Sequence, residues 1–298
     1  MKFRPSNTVA AILISLFALF LFDIMGLIIK YLSPRYTAAE LSSYRNIIGL
    51  VPSVIALWST QAWHRAGRPL RIRQWKLGLL RGAIVTFAQL SFYLSLGLMS
   101  FASATTISYS NALFMTAFAV PLLGEKVGPV RWIAVLIGFV GVVFVMGPGR
   151  DTFSPAALLP VAAGALYALV GVTSRLFDDD VPTPVVNLYS AVFAAGGAYF
   201  VAQGFGGFSE IQQGDLIWII AMGTVGGCAV LCLIVSYRMT EQSNLAPFSY
   251  FGIPLAFVLG WLVFDEAPWS DLFPGAILIA AGGLMIVWRE RRLKAQST

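Results

Sequence analysis

Residues 108–128 read SYSNALFMTAFAVPLLGEKVG, and residues 249–268 read SYFGIPLAFVLGWLVFDEAP. Each stretch opens on a Ser-Tyr pair, Ser108–Tyr109 or Ser249–Tyr250, and runs on through apolar residues. Each reaches a glutamate, Glu125 or Glu266, 16 residues beyond its tyrosine. The two stretches are offset by 141 residues, close to half of the 298-residue chain. A further echo, at an offset of 145, sets Gly26, Lys30 and Tyr44 against Gly171, Arg175 and Tyr189. If each half holds five membrane spans, an odd number, the second half enters the bilayer from the opposite side. That is the inverted-repeat plan on which many secondary transporters are built.

Composition supports a membrane setting independently of the repeat. The chain is 58% hydrophobic and 11% charged, whereas soluble domains are about a quarter charged. Apolar stretches near the roughly 20 residues that cross a bilayer are read at 8–32, 37–59, 77–98, 101–123, 130–147, 155–177, 183–203, 215–237, 243–264 and 271–288. Lipid offers the backbone no hydrogen-bond partners, so these are helices. Barrel strands would alternate apolar and polar residues, which these runs do not. The expected fold is therefore an all-α polytopic membrane protein: ten transmembrane helices as two inverted five-helix repeats, residues 1–149 and 150–298. Lys2 and Arg4 before the first run suggest a signal peptide, but the run exceeds a signal core and no small-residue cleavage site follows. Cys228 and Cys232 stand one turn apart, a spacing that suits packing on one helix face and not a disulfide framework.

Basic residues set the orientation. Arg65, Arg68, Arg71, Arg73 and Lys76 lie between spans 2 and 3, and Arg289, Arg291, Arg292 and Lys294 in the tail. With ten spans they share a side with Lys2, Arg4, Arg131, Arg175 and Arg238, so the positive-inside rule places both termini in the cytoplasm. Asp178, Asp179 and Asp180 fall inside against the trend, but acidic residues weigh little in that rule. The net charge of +6 is thus a topology signal, with anionic membrane lipid as its partner. No folded basic face with aromatic platforms is legible, so nucleic acid is not an expected partner.

Polar residues inside the spans need a reason to be there. Asp23 lies about 22 Å up the first span and Arg45 about 12 Å below the outer end of the second. In a hydrocarbon layer about 30 Å thick the two depths nearly coincide, which allows a pair between them: either a buried structural salt bridge or a gating, proton-linked pair. Arg45 also has the fork geometry that recognises carboxylate or phosphate. At a similar depth the sequence places Gln89, Tyr109, Asn111, Tyr167, Asn187, Tyr189 and Tyr250. Each tyrosine alone reads as helix packing; several at one level suit a cavity for an organic solute. Glu125 and Glu266, ahead of Pro129 and Pro268, read as helix-end capping at tight reversals. Gly78 with Gly82, and Gly223 with Gly227, form small-xxx-small pairs that let helices approach closely.

The sequence has no GxxxxGK[ST] loop and no HExxH, and its single histidine, His64, falls in the basic loop, where a solvated side chain is the default. Neither a metal-ligand cluster nor a Ser/His/Asp set can be assembled within the spans. The chain is not expected to be an enzyme, and neither a cofactor nor a metal is implied.

The two opening stretches, each followed by a Gly-rich helix (WIAVLIGFVGVVFVMG and GAILIAAGGLMIVW), resemble the EamA-type drug/metabolite transporters over almost the whole chain. The segment GLIIKYLSPRYTAAELSSYRNIIG is also similar to that family, with Lys30, Glu40 and Arg45 at basic, polar and basic positions. The second half departs from the first by placing Asp265 before Glu266 and Ser190 opposite Arg45. The resemblance implies alternating access, the halves rocking about a cavity lined largely by spans 1, 3, 4, 6, 8 and 9. It also implies a small organic solute: an amino acid, organic anion, vitamin or drug-like compound. The expected function is a secondary carrier exporting such a metabolite across a bacterial inner membrane, coupled to protons or to exchange. A passive channel and a non-transporting scaffold are the alternatives, and the sequence leaves monomer and homodimer open.

Overall fold

The computed structural model describes residues 5–59, 61–65, 67, 70, 72–124, 128–146, 155–177, 181, 183–239, 245, 248–267 and 269–297, and among these no strand occurs. The main helices are α1 (Pro5–Leu32), α2 (Ala38–Trp58), α3 (Trp75–Leu98), α4 (Phe101–Ser108), α5 (Asn111–Leu123) and α6 (Pro129–Met146). They continue as α7 (Leu158–Thr173), α8 (Thr183–Gly204), α9 (Asp215–Met239), α10 (Gly252–Phe264) and α11 (Gly275–Ser297). Six stretches of described residues are helical, long and apolar enough to cross a membrane: Val9–Leu32, Trp75–Leu98, Phe101–Leu123, Pro155–Leu176, Val185–Gly204 and Asp215–Ser236. Shorter apolar helices at Trp132–Met146, Gly252–Phe264 and Gly275–Arg289 fall in three of the other expected spans. Helix α2 occupies the remaining one, with Glu40 and Arg45 interrupting its apolar run.

Local sequence explains where several helices begin and end. Thr37 and Glu40 form a capping box at the start of α2: the Glu40 N–H donates to Thr37 Oγ1 (3.3 Å) and the Thr37 N–H to Glu40 Oε2 (2.7 Å). Ser100 caps α4 by accepting from the Ser103 N–H at 3.3 Å. Helix α5 ends on Gly124 at φ 67°, and α10 ends on Asp265 at φ 55°. Those two residues are 141 apart, so both stretches quoted above stop in the same left-handed cap. The Asp265 N–H bonds to Trp261 O (3.0 Å) and the Glu266 N–H to Gly260 O (3.3 Å), which fixes the direction in which the chain leaves. A left-handed residue with a Cβ is strained, and the exposed Asp265 side chain makes no hydrogen bond among the described residues that offsets it. Asp265→Gly is expected to stabilise the protein by about 0.5–1 kcal/mol, read as a rise of about 1–4 °C in the detergent melting midpoint.

Both stretches are also interrupted at matching points. A turn at Tyr109–Ser110 separates α4 from α5, and a turn at Tyr250–Phe251 separates helical residues 248–249 from α10. Gly164 of α7 packs against the first break, where a Cβ would stand 2.9 Å from Ser110 Oγ and 3.2 Å from Ser108 O.

Helices of the first half pack chiefly on helices of the second. α1 lies on α9 and α3 on α7; α2 lies on α8; α9 also meets α2, and α3 meets α8. α5 lies on α7 as α1 lies on α10; α4 meets α10, and α6 pairs with α11. Exchanging the two halves maps this set of partners onto itself. The small-residue pairs mediate the approach: Gly78 and Gly82 face Tyr189 and Phe193 of α8, while Gly223 and Gly227 face Ile48 and Pro52 of α2. In the α6–α11 pair, backbone meets backbone at Gly141, Gly275 and Gly282.

One buried cluster joins α1, α2, α3, α4, α9 and α10 through Met25, Ile28, Leu41, Leu96, Phe101, Met222 and Ala256. Another, of Leu57, Trp63, Ile72, Phe177, Val185 and Val186, closes the end that carries the basic loop. There His64, half-buried, stands edge-on to Trp58 and Trp63 (ring centroids 6.1 and 5.3 Å) as part of an aromatic cluster. Cys228 and Cys232 are free and half-buried in α9. Residues 125–127, 147–154 and 178–180 lie outside the described residues, and with them Glu125, Arg150, Asp151 and the Asp178–Asp180 run.

Candidate functional site

The breaks bring two tyrosines together. Tyr109 and Tyr250 stand with ring centroids 6.4 Å apart and planes at 42°. The Tyr109 hydroxyl sits over Gly252 and the Tyr250 hydroxyl over Gly283, each in space that a Cβ would occupy. Tyr250 is buried, and among the described residues its hydroxyl has no hydrogen-bond partner. Asp23 lies within electrostatic reach of Tyr109. Its side chain is buried, 5% exposed, and Oδ2 has no partner among the described residues. Asn111 begins α5 immediately beyond the break, its backbone nitrogen 3.4 Å from where a Cβ at Gly164 would stand.

A second polar group lies where α2 meets α3. Gln89 Oε1 accepts from Ser42 Oγ (2.7 Å) and Asn46 Nδ2 (2.7 Å), and Gln89 Nε2 donates to Asn46 Oδ1 (3.1 Å). Arg45 Nη1 donates to that same Asn46 oxygen at 3.1 Å. This network holds the guanidinium from one side and leaves Arg45 Nε buried without a partner among the described residues. Tyr93 and Tyr167 lie within electrostatic range of Arg45. Gly226 of α9 lies between α1 and α2: a Cβ there would collide with Met25 Sδ and stand 3.2 Å from Arg45 Nε.

Asp23 and Arg45 do not pair with each other. Among the described residues the ion pairs are Lys30–Glu266 and Arg35–Asp215. The physical reason is competition: Arg45 Nη1 donates to Asn46 Oδ1 on its own helix, an oxygen held in the Ser42–Asn46–Gln89 network.

Other expected site residues are placed elsewhere. Tyr189 packs against the basic-loop cluster and donates to Leu70 O at 2.7 Å. Like Asn187, it stands in the first two turns of α8, short of mid-depth. Glu266 does not cap the helix that follows it. Its Oε2 accepts from the Phe101 N–H at 3.0 Å, capping α4, and its carboxylate pairs with Lys30 Nζ at 2.7 Å. Glu125 lies outside the described residues.

Sequence reasoning missed Ser42, Asn46 and Arg81. The first two flank Arg45 at helical spacing, a pattern that marks one polar face. Arg81 lies next to Gly82 and reaches across to the second half, donating from Nη1 to Ser190 Oγ (2.7 Å) and from Nε to Val170 O (3.2 Å).

Comparison with known proteins places this geometry. The model of the EamA-like transporter family matches twice, over residues 9–147 and 154–288. An S-adenosylmethionine uptake transporter of Rickettsia bellii (strain RML369-C) is 25% identical over 91% of this chain and 89% of its own length. A riboflavin transporter of Vibrio cholerae is 26% identical, covering 92% of each chain. A pseudopaline exporter of Pseudomonas aeruginosa is 23% identical over 93% of this chain and 94% of its own. A solved crystal structure shares the fold, with a TM-score of 0.65 at 22% identity over 96% of this chain and 99% of that one. With apolar helices throughout, a polar interior and a family match across both halves, the chain is a multi-pass membrane protein belonging to the EamA-like transporter family.

Proposed function

We propose that the chain is a secondary carrier of a small organic metabolite, built as two inverted five-helix repeats and working by alternating access. The observation that carries the reading is that two buried charged groups, Asp23 at Oδ2 and Arg45 at Nε, have atoms without a hydrogen-bond partner among the described residues. They lie on two helices, α1 and α2, that both pack on α9, with Asp23 near the first broken span through Tyr109. A buried charge at membrane depth is costly unless it meets a partner or a wet cavity, and here each group offers an unfilled bonding site of opposite sign. A solute carrying both an acceptor and a donor would satisfy them, with Tyr109, Tyr250, Tyr167 and Gln89 as the aromatic and amide surround. Discontinuous helices at a repeat interface are a recurring setting for such a site.

The repeat reading rests on the self-mapping set of helix partners, the matched breaks and caps at an offset of 141, and the double family match. The charge bias supports both termini on the cytoplasmic side of a bacterial inner membrane. The named relatives include uptake proteins and an exporter, so the proposal concerns the carrier mechanism and not its direction. Solute counterflow in proteoliposomes loaded with a metabolite mixture tests it. At least one solute is expected to exchange with saturation and trans-stimulation. Flux that neither saturates nor shows counterflow would replace the carrier with a channel, and no flux under any ion gradient would leave neither.

A further inference from the structure

The ion pair at the end opposite the basic loop touches more elements than a surface pair does. Glu266 receives Lys30 Nζ on both oxygens (2.7 and 2.9 Å) and the Phe101 N–H on one of them (3.0 Å), while Lys30 also donates to Met99 O (2.8 Å). The two side chains are only 13% and 29% exposed. Beneath them the Phe101 ring is clasped between Gly26 of α1 and Gly260 of α10. Three elements therefore converge on one carboxylate: the end of α1, the start of α4 and the segment leaving α10.

The same three elements carry the candidate site at their other ends. Asp23 lies two turns from Lys30 on α1, on the face that also presents Gly26. Tyr109 closes α4, which begins at Phe101. Tyr250 stands at the break from which α10 runs toward Glu266. A rigid helix thus links each site residue to one latch group.

We infer that Lys30, Glu266 and the Phe101 N–H form the latch that closes this face of the carrier, and that it must release for the Asp23–Tyr109–Tyr250 site to open there. Two neighbouring contacts close the same end between the halves: Ser209 N–H on Glu40, and Tyr36 with Arg35 on Asp215 (3.1 and 3.2 Å). They leave Lys30–Glu266 as the link that reaches the broken spans. The inference rests on the carrier reading for its purpose, but its geometry can be tested without transport.

The test uses the full-length protein with Cys228 and Cys232 replaced by alanine and Ala104→Cys as the probe, since Ala104 is fully buried beside Phe101. A membrane-impermeant maleimide is added from the Lys30 side. Glu266→Gln and Lys30→Met are each expected to raise the labelling rate at least about tenfold, the scale of losing partly buried charge-assisted bonds. Lys30→Arg, which keeps the charge, is expected to label at the parent rate. Equal rates in Glu266→Gln and the parent, or in Lys30→Met and Lys30→Arg, would overturn the latch while leaving the carrier reading intact. A labelling response without counterflow of any solute would instead sink the carrier reading and keep the latch.

Discussion

Arg45→Ala is expected to lower solute counterflow by about two orders of magnitude while leaving membrane insertion unchanged. The size follows from removing one partner of a buried, hydrogen-bonded charge interaction. Asn46 and Gln89 fix the guanidinium, so the residue is positioned before any solute arrives, and its free Nε is the group lost to the solute. Arg45→Lys is expected to rescue little, because a single ammonium cannot both satisfy Asn46 and present a second donor in a fixed plane. Asp23→Asn, nearly isosteric, should produce a comparable loss, since Oδ2 has no structural bond to give up. The measurement is the initial counterflow rate for a solute that exchanges in the parent, normalised to protein recovered as a monodisperse peak. Parent-level exchange by both correctly inserted variants would reduce these residues to packing.

Gly141→Leu is expected to be the most damaging single change to assembly. A Cβ at Gly141 would lie 2.7 Å from Gly275 O and 2.7 Å from Ile279 N, atoms of the facing backbone that cannot rotate aside. A leucine therefore has to push α6 off α11, costing about 3 kcal/mol or more. The expected result is loss of the monodisperse peak in detergent, or a melting midpoint lowered by about 6 °C or more. The control is Gly124→Ala, where a Cβ meets nothing within 4 Å but φ is 67°, so only backbone strain is added. If Gly141→Leu melted no lower than that control, the α6–α11 contact would not be the tight seam described.

Much of this architecture was legible because membrane helices announce themselves by length and apolarity. The glycine pairs were legible too, since close approach requires small residues at fixed spacing, and both sit at interfaces between α3 and α8 or α9 and α2. The matched tyrosines marked the breaks, although nothing in the residues themselves said that the helix would turn there. What failed was pairing. Equal depth suggested Asp23 with Arg45, but depth does not fix azimuth, and a neighbouring amide on the same helix captured the guanidinium first. Glu266 was read as a local cap because local partners are all that spacing can show; its partners are 236 and 165 residues away. Tyr189 was misplaced because its partner, Leu70 O, is a backbone atom that leaves no trace in side-chain pattern.

The contact between Arg81 and Ser190 has a consequence for how a duplicated frame can carry an unduplicated cargo. At an offset of 145, Ser190 stands opposite Arg45 and Gly226 opposite Arg81. One seam therefore joins a guanidinium on α3 to a small residue on α8; the other joins a guanidinium on α2 to a small residue on α9. The bulky cation has changed helices between the two seams, and in both it belongs to the first half. Asp23, Ser42, Asn46 and Gln89 belong there as well. The scaffold is shared equally, but the polar grip is not. If the chain carries a solute as proposed, the groups that meet the solute's charges would come mainly from the first half, while the second half supplies the small residues against which they pack.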